Sequence, residues 1–533
     1  MTPSKSKHGF DSRQGHFLYM ENYLEIGSAL DIKERRERFV YRAFEILPGF
    51  LSVTTLTFAV LFSWLRPIWV AIFIILYDLY WVSKVMYLSF YQVSCFLKMK
   101  RYLKIDWQKK LEDFPQRKNI YHLIILPMVK EGWEIIDGTL RAIRDSIYPK
   151  ENLIVVLAQE ERAGQRVKKV AQMAENKYGK CFRHLLVTNH PKDTEGEAIG
   201  KGSNVAFAGK EAKEFIQKEK IPKENIIVST FDVDTKVSPQ YFLCLTYNFL
   251  TCKHPTRSSF QPIPLYHNNV WEAPAFTRVI ATSNTFWQMM QQERPEQLVT
   301  YSSHSMPFKT FLEVGYPKNV VTDDSRVFWK CFFKFDGDYR VVPLYYPVSM
   351  DVVVAETLFE TLVNQYKQQR RWAWGCIEIP YLLFGFLKNK KISFRKKIIH
   401  SFVILEGFWS WACASLLILC LGWLPVVLGG KDFNVTLLSY NLPRLVSKIM
   451  IFATVGMLCG TFINILFLPP KPKNLSRFKT ISVIFQWLFL PLTLIICGSI
   501  PALDAQVRLM LGKYLEFWNT PKFRKSILNE SSF

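Results

Sequence analysis

Three short stretches of this 533-residue chain carry side chains whose types and spacing could do chemistry. In Ile226-Ile-Val-Ser-Thr-Phe-Asp-Val-Asp234, two carboxylates, Asp232 and Asp234, stand at the end of an apolar run of β type. In extended backbone an i, i+2 pair projects to one side of a sheet. Two carboxylates so placed repel each other unless a cation lies beside them, and hard oxygen ligands suit magnesium or manganese. Magnesium typically takes only one or two protein carboxylates and fills its shell with water and phosphate oxygens, so the pair suits a metal diphosphate. An isolated Asp-x-Asp more often marks a solvated loop; its place directly after a strand is what raises it.

The second stretch, Thr322-Asp-Asp324, follows Gly315-Tyr-Pro-Lys-Asn-Val-Val321. Its acids suit the cap of a helix beginning near Ser325. They suit equally a general base, an Asp that takes the proton of an acceptor hydroxyl as its oxygen attacks an anomeric carbon. The third, Asn364-Gln-Tyr-Lys-Gln-Gln-Arg-Arg-Trp-Ala-Trp374, has the look of an amphipathic helix at a membrane surface, a reading that fits Lys367 and Trp374. Within it, Gln368-x-x-Arg371-Trp372 also supplies an amide, a guanidinium able to grip phosphate, and a plane on which a sugar ring can stack.

The elements that must position these groups alternate in type. A buried strand from Tyr121 ends at Pro127 and is followed by a helical pattern through Ile135, Leu140 and Ile143. A turn and strand at Tyr148–Ala158, a helix near Gln165–Tyr178, a short strand at His184–Thr188, a charged helix at Lys210–Lys220 and a strand at Ile226–Phe231 complete the series. Such alternation predicts an α/β domain built on a mostly parallel sheet covered on both faces. Ligands bind beyond the carboxyl ends of such strands, where Asp232 and Asp234 lie.

Outside this domain the chain is apolar. Runs at Ile46–Leu65 and Pro67–Tyr87, the latter extending weakly to Leu97, and at Ser401–Leu428, Ile449–Leu468 and Ile481–Ile500 are each near the ~20 residues a helix needs to cross hydrocarbon. Asp78, Lys84 and Glu406 interrupt them, and ionisable groups at such depth usually face protein or a water-filled path, although Lys84 can also snorkel. Basic residues before the first run, in the central region and in Lys471–Lys479 place the N-terminus and the central domain inside. Three C-terminal spans then leave the tail outside, whereas Arg508, Lys513, Lys522, Arg524 and Lys525 argue for inside; a fourth span or a re-entrant last segment removes the conflict. The ten cysteines contain no CxxC pair and read as reduced and packed. A formal charge of +23 suits anionic lipid or a phosphate-bearing substrate. It does not point to nucleic acid, because no basic-aromatic recognition motif accompanies it.

With these motifs in order, the chain over about 115–375 resembles the membrane-embedded family 2 glycosyltransferases, the group with the cellulose, chitin and hyaluronan synthases, and more distantly ceramide glucosyltransferase. The resemblance implies a GT-A-type fold flanked by transmembrane helices and inverting transfer from a UDP- or GDP-sugar. Pro127 through Glu131 looks like the family's first nucleotide-binding strand end, and Gly200-Lys201-Gly-Ser-Asn204 like its Lys-x-x-Asn element at the donor. Asp234 takes the metal, Mg2+ or Mn2+, with Asp232 on the ribose or metal side. Tyr301-Ser-Ser-His-Ser-Met-Pro-Phe-Lys309 with Leu312-Glu-Val-Gly315, including Ser303 and His304, resembles the acceptor-side segment. A lone histidine in a Ser-rich loop reads first as a surface residue, however. Asp324 takes the role of base, Gln368 and Arg371 hold the donor, and Trp372 holds the acceptor sugar. One departure stands out. The second strand usually ends in an Asp that holds the nucleoside, and here Leu157-Ala-Gln-Glu-Glu-Arg162 offers Glu160 or Glu161.

The implied organisation is a cytosolic segment 1–45, two spans in 46–97, a cytosolic catalytic domain 110–375, an interfacial helix and basic linker 376–397, about three spans in 398–502 and a basic tail 503–533, in the plasma membrane. The acceptor is a growing polysaccharide that the spans pass across the bilayer, or a lipid that receives one sugar. A transporter with a nucleotide-sensing domain would require the acidic motifs to be accidental.

Overall fold

Alternation along Tyr121–Met128 (β1) sends Leu123 and Ile125 into one apolar cluster and Ile124 and Leu126 into another, so the strand is buried on both faces. The same holds for Leu153–Glu160 (β2), whose eight residues are all buried. The structure, a computed structural model, describes residues 22–470, 472, 483 and 485–521. With His184–His190 (β3), Ile226–Thr230 (β4), Lys236–Val237 (β5), Ser258–Leu265 (β6), His304–Pro307 (β7) and Arg340–Ser349 (β8), these strands form one sheet of order β3-β2-β1-β4-β7-β6-β8-β5. Strands β3, β2, β1 and β4 are parallel, joined by crossovers that carry the helices Trp133–Arg144, Gly164–Tyr178 and Lys201–Lys218. This is the expected half with shifted bounds: β1 runs through Pro127 to Met128, β3 continues past Thr188 to His190, β4 stops at Thr230, and the helix expected at Lys210–Lys220 spans Lys201–Lys218.

Strand β7 extends the sheet antiparallel to β4, with Thr230 opposite His304. That reversal sets the site, because the residues that precede β7, Tyr301 to Ser303, are thereby brought beside those that follow β4.

Among the described residues, four helices or helical segments, Arg35–Leu65, Pro67–Leu103, Phe394–Leu421 and Gln486–Met510, are long and apolar enough to cross a membrane and mark a membrane protein. The run expected at Ile449–Leu468 is the latter part of a 31-residue helix, Leu437–Phe467. Of the run expected at Ile481–Ile500, residues 481, 482 and 484 lie outside the described residues.

The last of these segments has an informative course. At its start Gln486 Oε1 accepts from Arg278 Nε at 2.7 Å and Trp487 stacks on Phe286, both partners belonging to the helix Ala275–Gln292 of the central domain. Midway, Ser499 Oγ donates to the carbonyl of Trp411 at 2.9 Å, within the Phe394–Leu416 helix. Near its end Asp504 Oδ2 accepts from Arg370 Nη1 at 2.9 Å, again on the central domain. At the other end of the chain, Leu24, Glu25 and Ile26 also lie on that domain, accepting from Tyr381, Lys330 and Arg326.

Candidate active site

Lys201 is the first residue of the helix Lys201–Lys218, and the close approach of that helix to the Asp323–Lys334 helix aims its ammonium. The contact needs glycine at 202, where a Cβ would sit 2.4 Å from the carbonyl oxygen of Pro317 and 2.9 Å from Cβ of Asp323. Lys201 Nζ donates to Asp232 Oδ1 at 2.9 Å and to Asp324 at 2.8 Å (Oδ1) and 3.1 Å (Oδ2). One cation thus joins the first acid of the Asp-x-Asp to the second acid of the Asp-Asp, 92 residues apart in sequence. Burial opposes the charge on Lys201, but the carboxylates of Asp232, Asp324 and Asp323 outweigh it and hold the ammonium well above its ordinary range.

Around this centre the β7 reversal does its work. Ser302 Oγ donates to Asp232 Oδ2 at 2.6 Å, Ser303 Oγ lies 2.8 Å from Thr235 Oγ1, and Thr300 Oγ1 donates to the Asp324 carbonyl at 2.6 Å. His304 is not a surface residue. It is fully buried in β7, its Nδ1 donates to the Tyr301 carbonyl at 3.0 Å, and it lies 3.7 Å from Asp324 Oδ1. Burial pushes its imidazole down to about 4, so the ring is neutral near pH 7. The sequence context was misleading because the serines around it pack inward, onto β4 and the acids.

Asp232 and Asp234 do not sit in extended backbone as the i, i+2 spacing suggests. They occupy a turn closed by the Thr235 amide donating to the Asp232 carbonyl at 2.8 Å. Asp232 faces Lys201, while Asp234 is 2% exposed and its Oδ2 accepts from the Asp351 amide at 2.9 Å. Asn268 Nδ2 donates to the Asp234 carbonyl at 2.9 Å and to Asp351 Oδ1 at 2.8 Å. Sequence reasoning missed Asp351, although the signal that singled out Asp232 was present: it too is an acid just past the end of a strand, β8.

Asp351 also connects the acids to the third motif. It lines a small cavity together with Tyr266, Ala281, Gln365, Gln368 and Trp372, so the Gln-x-x-Arg-Trp helix, Leu358–Ala373, opens onto the same hollow. Arg371 turns elsewhere, its guanidinium 5.7 Å from the ring of Phe517. That ring also lies against Gly200, where a Cβ would be 2.9 Å from Phe517 Cδ2, while Trp518 faces Lys367 and Asn519 Nδ2 donates to Glu131 Oε1 at 3.1 Å. Residues 517–519 therefore cover the positions expected to hold the donor. Nothing in their composition signals this, since only tertiary contact brings them there.

The other expected donor residues surround the ends of β1 and β2. Glu131 accepts from the amides of Val129 and Lys130 at 2.7 and 2.9 Å and so braces the loop that follows Pro127. Asn204 Nδ2 donates to the Ala158 carbonyl at 2.7 Å. Glu160 is paired with Arg162, and its Oε1, like Gln159 Oε1 and Asn204 Oδ1, is buried without a hydrogen-bond partner. Buried acceptors left unmatched in the protein are what a ligand rich in N–H and O–H donors would satisfy.

Among the described residues no group of three or more His, Cys, Asp or Glu side chains is arranged to hold a metal ion. The donor set still fits a hard divalent ion, since a magnesium that uses one or two carboxylates and takes phosphate oxygens from its substrate needs no protein cage.

The sequence profile of glycosyl transferase family group 2 matches residues 227–497, just over half of the chain. The chain belongs to that family. It is a glycosyltransferase that uses a nucleotide-sugar donor, and the matched region takes in the acidic turn after β4, the Asp-Asp helix and the Gln-x-x-Arg-Trp helix. No curated protein matches this glycosyltransferase. Among solved structures it is similar to a mannosyltransferase, PcManGT, from Pyrobaculum calidifontis in complex with GDP-Man and Mn2+, at 14% identity and a TM-score of 0.35 over 72% of this chain and 97% of that one. It is also similar to S. aureus TarS 1–349 in complex with UDP, at 12% identity and a TM-score of 0.33 over 63% and 90% of the two chains.

Asp323 lies deeper than Asp324. It is buried, its Oδ2 accepts from Tyr316 OH at 3.1 Å, and burial followed by the repulsion of Asp324 pushes its carboxyl up to about 8, against the pull of Lys201. The folded value lies above the ~3.9 of an unfolded Asp, so the folded state holds an extra proton between the two. Stability that is fully present below about pH 4 is therefore lost as pH rises through about 8. Asp323→Asn, uncharged and of similar shape, is expected to melt higher than wild type above about pH 8 and to lose that advantage near about pH 5. Thermal unfolding across that range checks it; parallel curves would contradict the sign.

Proposed function

We propose that this protein is an inverting, membrane-embedded glycosyltransferase of the cellulose, chitin and hyaluronan synthase type, which transfers sugar from a UDP- or GDP-sugar to a polysaccharide and passes the growing chain through its spans. The observation that carries the reading is the Lys201 ammonium held between Asp232 and Asp324. It sets the pole that receives a diphosphate within one side chain's reach of the group that receives a hydroxyl proton.

In this reading Asp324 accepts the acceptor's proton as the acceptor oxygen attacks. Lys201 and Arg371 place positive charge where the leaving diphosphate gathers negative charge. Asp232 and Asp234 hold Mg2+ or Mn2+, which neutralises the diphosphate when bound. Pro127, Glu131, Glu160, Asn204 and Gln368 surround the nucleotide, and Ser303 and Trp372 face the acceptor. The central domain is cytosolic, as the basic residues on that side support, and the membrane is the plasma membrane in this reading.

A polar and aromatic seam between two spans supports a polysaccharide over a lipid acceptor. Lys84 Nζ donates to Glu406 Oε1 at 2.5 Å, Tyr80 OH donates to the same oxygen at 2.6 Å, and Trp409 packs on Tyr77. Aromatic faces with polar groups between them suit sugar rings better than acyl chains. Purified protein supplied with radiolabelled UDP- and GDP-sugars tests the whole reading. A ladder of long products is expected; a single sugar attached to extracted lipid would replace the polysaccharide acceptor, and no incorporation from any donor would defeat the proposal.

A further inference from the structure

We propose that Glu378 is a positioning residue for the turn that carries Asp324, an inference that rests on Asp324 being the base. Glu378 opens the helix Glu378–Lys388, and its side chain is 3% exposed. One oxygen, Oε1, accepts from Thr322 Oγ1 at 2.5 Å, and the other, Oε2, accepts from Arg326 Nε at 2.7 Å. Thr322 and Arg326 flank the two acids. The same guanidinium donates through Nη1 to the Ile26 carbonyl at 2.7 Å and lies 3.8 Å from the centroid of Tyr381. A single buried carboxylate therefore ties the catalytic turn to the segment that follows Arg371 and Trp372, and, through Arg326, to the chain's N-terminal stretch.

Two features separate this from ordinary packing. Thr322 occupies the N-cap of the Asp323–Lys334 helix yet makes no side-chain capping bond. A threonine there normally accepts from an amide of the first turn, and here its hydroxyl points away from those amides and donates to Glu378. In addition, a fully buried ion pair holds two helices together no better than well-packed apolar groups of the same volume would, and the role assigned to this one is to set the orientation of the Thr322–Arg326 turn. Orientation matters at Asp324, because a displacement of about 1 Å at a reacting group can cost ~10²-fold in rate.

Thr322→Val removes only the hydroxyl, and Thr322→Ser restores it. The expected result for Thr322→Val is a kcat lower by roughly 10- to 100-fold at unchanged donor KM, with a lower melting temperature because the buried Glu378 Oε1 loses its donor, and Thr322→Ser returning to within about threefold of wild type in both. Added to Asp324→Asn, Thr322→Val should cause no further loss, because it acts only through that carboxylate. Glu378→Gln should lower kcat likewise; should leaving Arg326 uncompensated prevent folding, the threonine pair decides alone. Wild-type kcat in Thr322→Val with Asp324→Asn inactive would overturn the positioning role and leave the base in place. A raised KM, or equal losses of kcat in the Val and Ser variants, would also overturn it. Turnover retained in Asp324→Asn would remove the base itself, and the positioning role with it.

Discussion

Asp324→Asn should lower the rate of sugar transfer by ~10²–10⁴-fold while donor binding stays near the wild-type value, because a general base contributes in the transition state and not to ground-state binding. Its surroundings support the division. Asp324 receives the Lys201 ammonium and lies beside a neutral His304, so amide in place of carboxylate keeps the shape while it removes the proton acceptor and the charge that pairs with Lys201. Product formation under single-turnover conditions, alongside a direct titration of the donor, separates the two effects. Loss of donor affinity in step with loss of rate would mean that Asp324 helps to hold the donor, through Lys201 or directly.

Asp234→Ala should weaken divalent-dependent donor binding on the order of 10²-fold, the scale expected when a metal that neutralises phosphate loses a ligand. Alanine also strips the Asp351 amide of its acceptor, and a buried N–H left unpaired costs roughly 1–3 kcal/mol for a reason unrelated to metal. Asp234→Asn keeps an oxygen for that amide and isolates the lost charge. Donor titrations with Mg2+, with Mn2+ and with chelator, on both variants, give the comparison. If the asparagine variant responds to the ions as wild type does, Asp234 is not a ligand.

The parallel half of the sheet was legible because each of its strands is an uninterrupted apolar run and each crossover a periodic helix, local signals that tertiary context did not override. The acids were legible for a different reason: carboxylates immediately after such runs stand out against a chain this basic. Burial and direction were not legible. His304 reads as exposed until β7 pairs antiparallel with β4, and Asp232 and Asp234 read as one-sided until the turn between them is seen. Asp351 and Phe517 belong to the site through contacts that span more than 100 residues, to Asp234 and Gly200. No local pattern encodes such separations.

The course of Gln486–Met510, which begins and ends against the central domain, bears on which side of the membrane the two ends of the chain share. Residues 24–26 and 517–519 both touch that domain, and an even number of bilayer crossings between them is the expected result. Reporters fused before residue 24 and after residue 519 would then share one compartment with the sheet. The basic residues around 508–513 would lie on the side where positive charge accumulates, which reconciles them with the arginines at 35, 36 and 38.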